Sequence, residues 1–166
     1  MNFNSIFSQI GVPASMAQDV MFLLVIALVS FIFGMLIGKH RLITVLINIY
    51  ASFAILKVVP GGYLTTYSAV LLFFFAVLVA LTILGKSLFE ISISGSGSGF
   101  LWRVFMVSFL EVALLASITL SIMPKKEALL YVSKTVYGYM VLPNAQFLWM
   151  VAPLAALFII HKRLGR

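Results

Sequence analysis

The sequence predicts an all-α fold: a polytopic transmembrane bundle of five spanning helices, or four if the last segment does not cross. Three observations predict it. Hydrophobic residues make up 63% of the 166 residues, charged residues only 9%, and the mean hydropathy is +1.19. A soluble domain carries roughly 25% charged residues to coat its surface, so this chain needs lipid around it. The apolar residues also fall into stretches near the roughly 20 residues that cross a bilayer core. Finally, the basic residues gather at the ends of those stretches, where headgroups lie.

The first span is expected from Asp19 to Gly38, free of charge until Lys39-His40-Arg41. The second, Leu42 to Val59, follows at once and stops before Pro60-Gly61-Gly62, so the pair reads as an antiparallel hairpin. The third runs from Ser68 to Gly85 and contains Phe73-Phe74-Phe75. A Ser/Gly bridge, Ser92 to Gly99, leads to the fourth, Phe100 to Met123, which Pro124 stops. The fifth, Gln146 to Ile160, is short and contains Pro153. Two segments read as interfacial amphipathic helices: Met1 to Gln18, for which a frayed tail is the plain alternative, and Lys125 to Leu142. All of this makes one membrane domain covering residues 1–166.

Eleven Lys and Arg stand against four acids, Asp19, Glu90, Glu111 and Glu127, for a net charge of +7. No basic run exceeds two residues, which makes a poor phosphate track, so nucleic acid is not an expected partner. If the Lys39–Arg41 turn is cytoplasmic, that side also holds Lys86, Arg103, Lys162, Arg163 and Arg166; Lys57, Lys125, Lys126 and Lys134 lie opposite. Seven against four follows the positive-inside rule. The N-terminus is then outside and the C-terminus in the cytoplasm. With no Lys or Arg before Gln18, the N-terminus lacks the basic start of a signal peptide. The absence of cysteine excludes disulfides, thiolate metal sites and cysteine nucleophiles.

Glu111 is the most informative residue. It stands mid-way along the fourth span, where an ionised group costs about 2.5 kcal/mol or more. It reads either as a protonated carboxyl hydrogen-bonded to a neighbouring helix, as a proton or cation site, or as a contact with another subunit. Arg103 is eight residues earlier, about 12 Å along the axis, too far for a direct pair. It reads as an anchor beside Trp102 reaching for headgroups, as does Lys57. His161 has no ligand partner in the pattern, His40 being the other histidine. Asn48 and Ser52, one turn apart, must face the bundle because an amide in lipid needs a partner. Packing is the commoner role for such a face, and a permeation path the rarer one.

Small residues form stripes. Ser30, Gly34 and Gly38 line one face of the first span; Ala113, Ser117 and Ser121 line one face of the fourth; Ala152 and Ala156 do so in the fifth. Such stripes let helix backbones approach closely and name no activity. There is no GxxxxGK[ST] loop, no HExxH and no Gly-x-Ser-x-Gly elbow. Gly95 to Gly99 alternates Gly and Ser, but with no preceding strand it reads as a flexible connection. No catalytic residue, cofactor site or metal site is expected, and the chain does not read as an enzyme.

The order of parts resembles the colicin V production protein family of small bacterial membrane proteins. The resemblance rests on FIFGMLIGKHR (Phe31 to Arg41) running into ITVLINIYASFAIL (Ile43 to Leu56), the Phe-rich AVLLFFFAVLVALTILG, and a Gly/Ser bridge into a helix with Arg103 near its start. These cover roughly Asp19 to Met123. The chain departs from the family in lacking an Arg-Gly pair at the first turn and in carrying Glu111 in the fourth helix. The resemblance implies an inner-membrane protein linked to peptide-toxin production or export and to envelope maintenance, with no catalytic site to transfer.

Three functions follow as expectations. The first is a non-enzymatic accessory protein acting through partners. The second is a small oligomeric channel or transporter using Glu111 and the Asn48/Ser52 face. The third is a structural subunit of a larger membrane complex. Expected partners are the bilayer and other membrane proteins or further copies of the chain.

Overall fold

The computed structural model describes residues 14–37, 41–60, 62–85 and 99–164. Among them the chain is entirely helical: α1 Ala14–Ile37, α2 Leu42–Val58, α3 Tyr67–Gly85, α4 Gly99–Ile122, α5 Lys125–Tyr131, α6 Lys134–Val141 and α7 Pro143–Leu164. Most of the expected N-terminal segment, the Gly38–His40 turn and the Ser92–Ser98 part of the bridge lie outside the described residues. So does the packing expected of Gly38.

Proline sets three helix ends. Its ring pushes the preceding residue out of helical geometry. Val59 before Pro60 has φ −61° and ψ 128°, and Leu142 before Pro143 has φ −56° and ψ 143°. α4 likewise stops ahead of Pro124, whose carbonyl accepts the backbone N–H groups of Glu127 and Ala128 at 2.9 and 3.0 Å to open α5. The Lys125–Leu142 stretch is two helices instead of one amphipathic helix. It breaks at Ser133, whose hydroxyl caps α6 by accepting the Val136 N–H at 3.1 Å. Nor does the stretch lie simply on a surface: Ala128, Val132, Val136 and Met140 are buried against α1 and α4.

Three helical segments are long and apolar enough to cross a membrane: Met16–Ile37, Tyr67–Gly85 and Trp102–Ile122. α6 and α7, bent by 61° at their junction, together form a fourth candidate, as one broken span or a re-entrant loop. α2 is shorter, and its 17 residues reach about 26 Å against a core of about 30 Å.

α4 is the hub. It packs against α1, α2, α3, α6 and α7, and half of it is buried while α1 and α3 stay largely exposed. The reason is chemical. All these helices are apolar all round, so hydrophobicity cannot choose the inner face; polar and small side chains do. α4 carries Ser108, Glu111 and Ser117, each fully buried. The outer faces of α1 and α3 hold Leu36, Leu72 and Ile83 in the open.

α1 and α2, expected as a hairpin, do not pack along each other; α1 lies mainly on α4 and α2 mainly on α3. Ile26 packs in one cluster with Val112, and Gly34 meets Val104 and Ser108, so α1 and α4 run antiparallel. Val45, Leu46 and Ile49 of α2 share a core with Phe74, Leu78, Leu114 and Ile118. Leu157 packs on the cluster of Leu42 and Val107, and Met150 on the one containing Leu114, so α7 runs back along α4. Asp19, Lys57, Lys125 and Lys134 therefore belong to one end of the bundle, and Arg41 and Arg103 to the other.

Candidate functional site

Glu111 is 0% exposed, and neither carboxylate oxygen has a hydrogen-bond partner among the described residues. One turn earlier on α4, the Ser108 hydroxyl is equally buried and equally without a partner. Residues three apart on a helix stand about 5–6 Å apart at Cβ, so these groups are neighbours on one face of α4. Buried polar groups are almost always paired. Two adjacent exceptions are the least ordinary feature of this bundle.

Neighbouring helices cover this face. On α1, Ser30 is fully buried, but its hydroxyl is spent on its own helix, donating to the Ile26 carbonyl at 2.6 Å. Tyr50 of α2, partly buried, packs on the cluster that contains Leu114. Its hydroxyl donates to the Met150 carbonyl of α7. One turn further along α7 is Pro153, buried and inside the helix. A helical proline removes a donor and leaves the carbonyl four residues earlier, here Trp149, without its helical N–H. By the α4–α7 register Pro153 lies at the height of Glu111. The Glu111 carboxyl and Ser108 hydroxyl thus lie near the middle of the hub, with Pro153 at the same height and the Tyr50–Met150 bond about one turn away.

Chemically, this set can take up a proton, a water or a small monovalent cation. Burying a bare carboxylate costs several kcal/mol, of order, unless a proton or positive charge meets it. No three His, Cys, Asp or Glu side chains converge as a multidentate metal site among the described residues.

The polar groups of the Asn48/Ser52 face are hydrogen-bonded. The Asn48 amide donates to Thr82 Oγ1 at 3.3 Å, and Thr82 donates to the Leu78 carbonyl at 2.7 Å. Ser52 donates to the Asn48 carbonyl at 2.7 Å. Gly85 leaves room beside Thr44 and Asn48. The Asn48–Thr82 bond ties α2 to α3, while Ser52 and Thr82 donate to carbonyls of their own helices.

The Ala113–Ser117–Ser121 stripe also differs from a plain contact surface. Ser117 donates to the Met140 carbonyl at 2.6 Å, across to the end of α6. Ser121 bonds its own helix at the Ile118 carbonyl, at 2.7 Å. Ala113 is fully buried. Arg103 is half-buried near the start of α4, beside an exposed Trp102 that stacks 5.9 Å from Phe105. Lys57 sits 5.0 Å from the centroid of the Phe53 ring.

Comparison with protein families, characterised proteins and solved structures finds no match. The site therefore stands on its own geometry.

Sequence reasoning found Glu111 and missed Ser108, because a serine in an apolar helix is ordinary until its hydroxyl proves unpaired. It also missed the α6–α7 junction. Pro143 deprives the Tyr139 carbonyl of its helical donor, and the Trp149 indole N–H supplies one at 2.9 Å. The Met140 carbonyl, beyond the reach of a helical N–H, is met by Ser117, and the Gly138 carbonyl by the Leu142 N–H at 3.3 Å. Pro143 four residues after Tyr139, with Trp149 one and a half turns on, was the signal available.

Proposed function

We propose that this chain is a non-enzymatic membrane protein that binds a proton or a monovalent cation at Glu111, as the protomer of a small oligomeric channel or carrier. One observation carries the reading: both Glu111 oxygens and the Ser108 hydroxyl are buried in the hub without hydrogen-bond partners among the described residues. A carboxyl present only to glue helices together would be hydrogen-bonded across one of them. An acidic side chain facing the interior of a membrane bundle is a recurrent mark of ion and proton sites. The Asn48/Ser52 face is assigned to packing in this reading, so the path runs by Glu111 alone.

The same reading takes α2 and α7 as full crossings. That gives five spans in a bacterial inner membrane, N-terminus outside and C-terminus cytoplasmic. Support comes from the alternating directions of α1, α2, α3, α4 and α7 and from the segregation of Lys57, Lys125 and Lys134 to one end.

An accessory or structural subunit, as the colicin V production resemblance implies, is the second reading. The broad apolar faces of α1 and α3 favour it if neighbouring proteins cover them. Proteoliposomes separate the two. The full chain should conduct protons or a monovalent cation, and Glu111→Gln should reduce the flux to the protein-free background. Absence of wild-type flux, or flux unchanged in Glu111→Gln, refutes the ion-binding reading. Stoichiometric recovery of another membrane protein would then favour the subunit.

A further inference from the structure

The bend between α6 and α7 opens a cavity of about 580 Å³ against the first turns of α1. Its walls are apolar and aromatic, with Phe22, Tyr139 and Trp149 among them, and the one acid is Asp19. Asp19 Oδ1 is buried and has no hydrogen-bond partner among the described residues. An adjoining cavity of about 640 Å³ shares Thr135 and Tyr139 with the first and adds Lys134 and Asn144. Lys134 supplies a cation there. The first turn of α7, at Asn144, brings backbone N–H groups that a helix cannot satisfy itself and that favour anions.

We propose that this double cavity holds an aminophospholipid: the ammonium on Asp19, the phosphate between Lys134 and the start of α7, and an acyl chain along the apolar wall. Charge complementarity favours a zwitterion, because a negative and a positive pole adjoin, and the unpaired Asp19 oxygen calls for an N–H donor, which an ethanolamine headgroup has and a choline lacks. The aromatic rings beside Asp19 suit an ammonium as well. Depth agrees. Asp19 falls in the first turn of the Met16–Ile37 span, at the end of the bundle that carries Lys125 and Lys134. The wall residues Leu23 and Leu148 are 53% and 65% exposed, so the cavity opens sideways, towards acyl chains. The site shares no residue with Glu111 and Ser108, and its test does not depend on them.

Native mass spectrometry of the full chain tests this, after exchange into an equal mixture of phosphatidylethanolamine, phosphatidylcholine and phosphatidylglycerol. Phosphatidylethanolamine should be retained in preference to both others. Asp19→Asn and Lys134→Gln should each weaken that retention about tenfold, the scale of one lost charge-assisted hydrogen bond. Ala152→Phe, which fills the Asp19 cavity and leaves both charges in place, should weaken it too, so the result does not rest on one variant folding. Equal retention of the three lipids overturns the proposal. So does displacement by dodecylamine with Lys134→Gln silent, which would make the ligand a simple lipophilic amine. A lipid-free dimer would overturn it as well, since a second copy would then cover the cavity.

Discussion

Gly34 on α1 stands where an added Cβ would come within 2.7 Å of the Ser108 hydroxyl on α4 and 3.4 Å of its Cβ. The small-residue stripe of α1 thus serves one purpose at this point. It brings the backbone down onto the serine that adjoins Glu111, and so covers that face of α4.

Replacing that glycine should loosen this contact in proportion to size. Gly34→Ala needs only a turn of the Ser108 hydroxyl, whereas Gly34→Leu needs the helices to part, at about 1–3 kcal/mol for overpacking. Unfolding the purified protein in a denaturing detergent series measures both. Gly34→Ala should cost less in a Ser108→Ala background, and equal cost in both backgrounds would mean the two side chains do not compete for the space.

At the junction of α6 and α7, two side chains satisfy carbonyls that the bend leaves without helical donors. Ser117→Ala should cost about 1–3 kcal/mol by leaving the buried Met140 carbonyl unpaired. Trp149→Phe should cost less, because the Tyr139 carbonyl it serves is exposed. Amide hydrogen exchange across residues 138–146 should quicken in both variants. Unchanged exchange would show that the junction holds without these bonds.

The Asn48–Thr82 bond is assigned to packing, which gives it a distinct signature. Asn48→Ala should lower stability by about 0.6 kcal/mol, the average for such bonds between membrane helices, and leave ion flux in proteoliposomes unchanged. A loss of flux without a loss of stability would return Asn48 to the permeation path.

Because the chain has no native cysteine, single introduced cysteines report topology cleanly. With five crossings, Lys57→Cys and Lys126→Cys should react with an impermeant maleimide from one side, and Arg41→Cys and Arg163→Cys from the other. Arg163→Cys reacting on the same side as Lys126→Cys would make α6 and α7 a re-entrant loop.

The all-helical membrane fold was legible because apolar length and proline placement act locally. Pro60 and Pro124 stop helices as expected, whereas Pro153 is accommodated inside α7. Glu111 was legible for the same reason, since one acid in an apolar run is conspicuous. Partnering was not legible. Phe33 could as well have faced lipid, and nothing local told the chain to lay α1 on α4 instead of on α2. The break at Ser133, the pairing of Tyr50 with Met150 and the solitude of Ser108 all depend on which helix lies opposite. That is a long-range property, carried by a few small and polar groups among many interchangeable leucines and phenylalanines.

The central claim is that Glu111 is an ion-binding carboxyl and not a structural one. A lipophilic carbodiimide tests it directly, because it reacts with protonated carboxyls in membranes and adds a fixed mass to the modified peptide. In the reconstituted wild-type protein, Glu111 should be labelled, and either a monovalent cation or a change of pH should alter the rate while labelling of Asp19 serves as a reference. A Glu111 that stays unlabelled, or that labels at one rate whatever the cation and pH, would contradict the account.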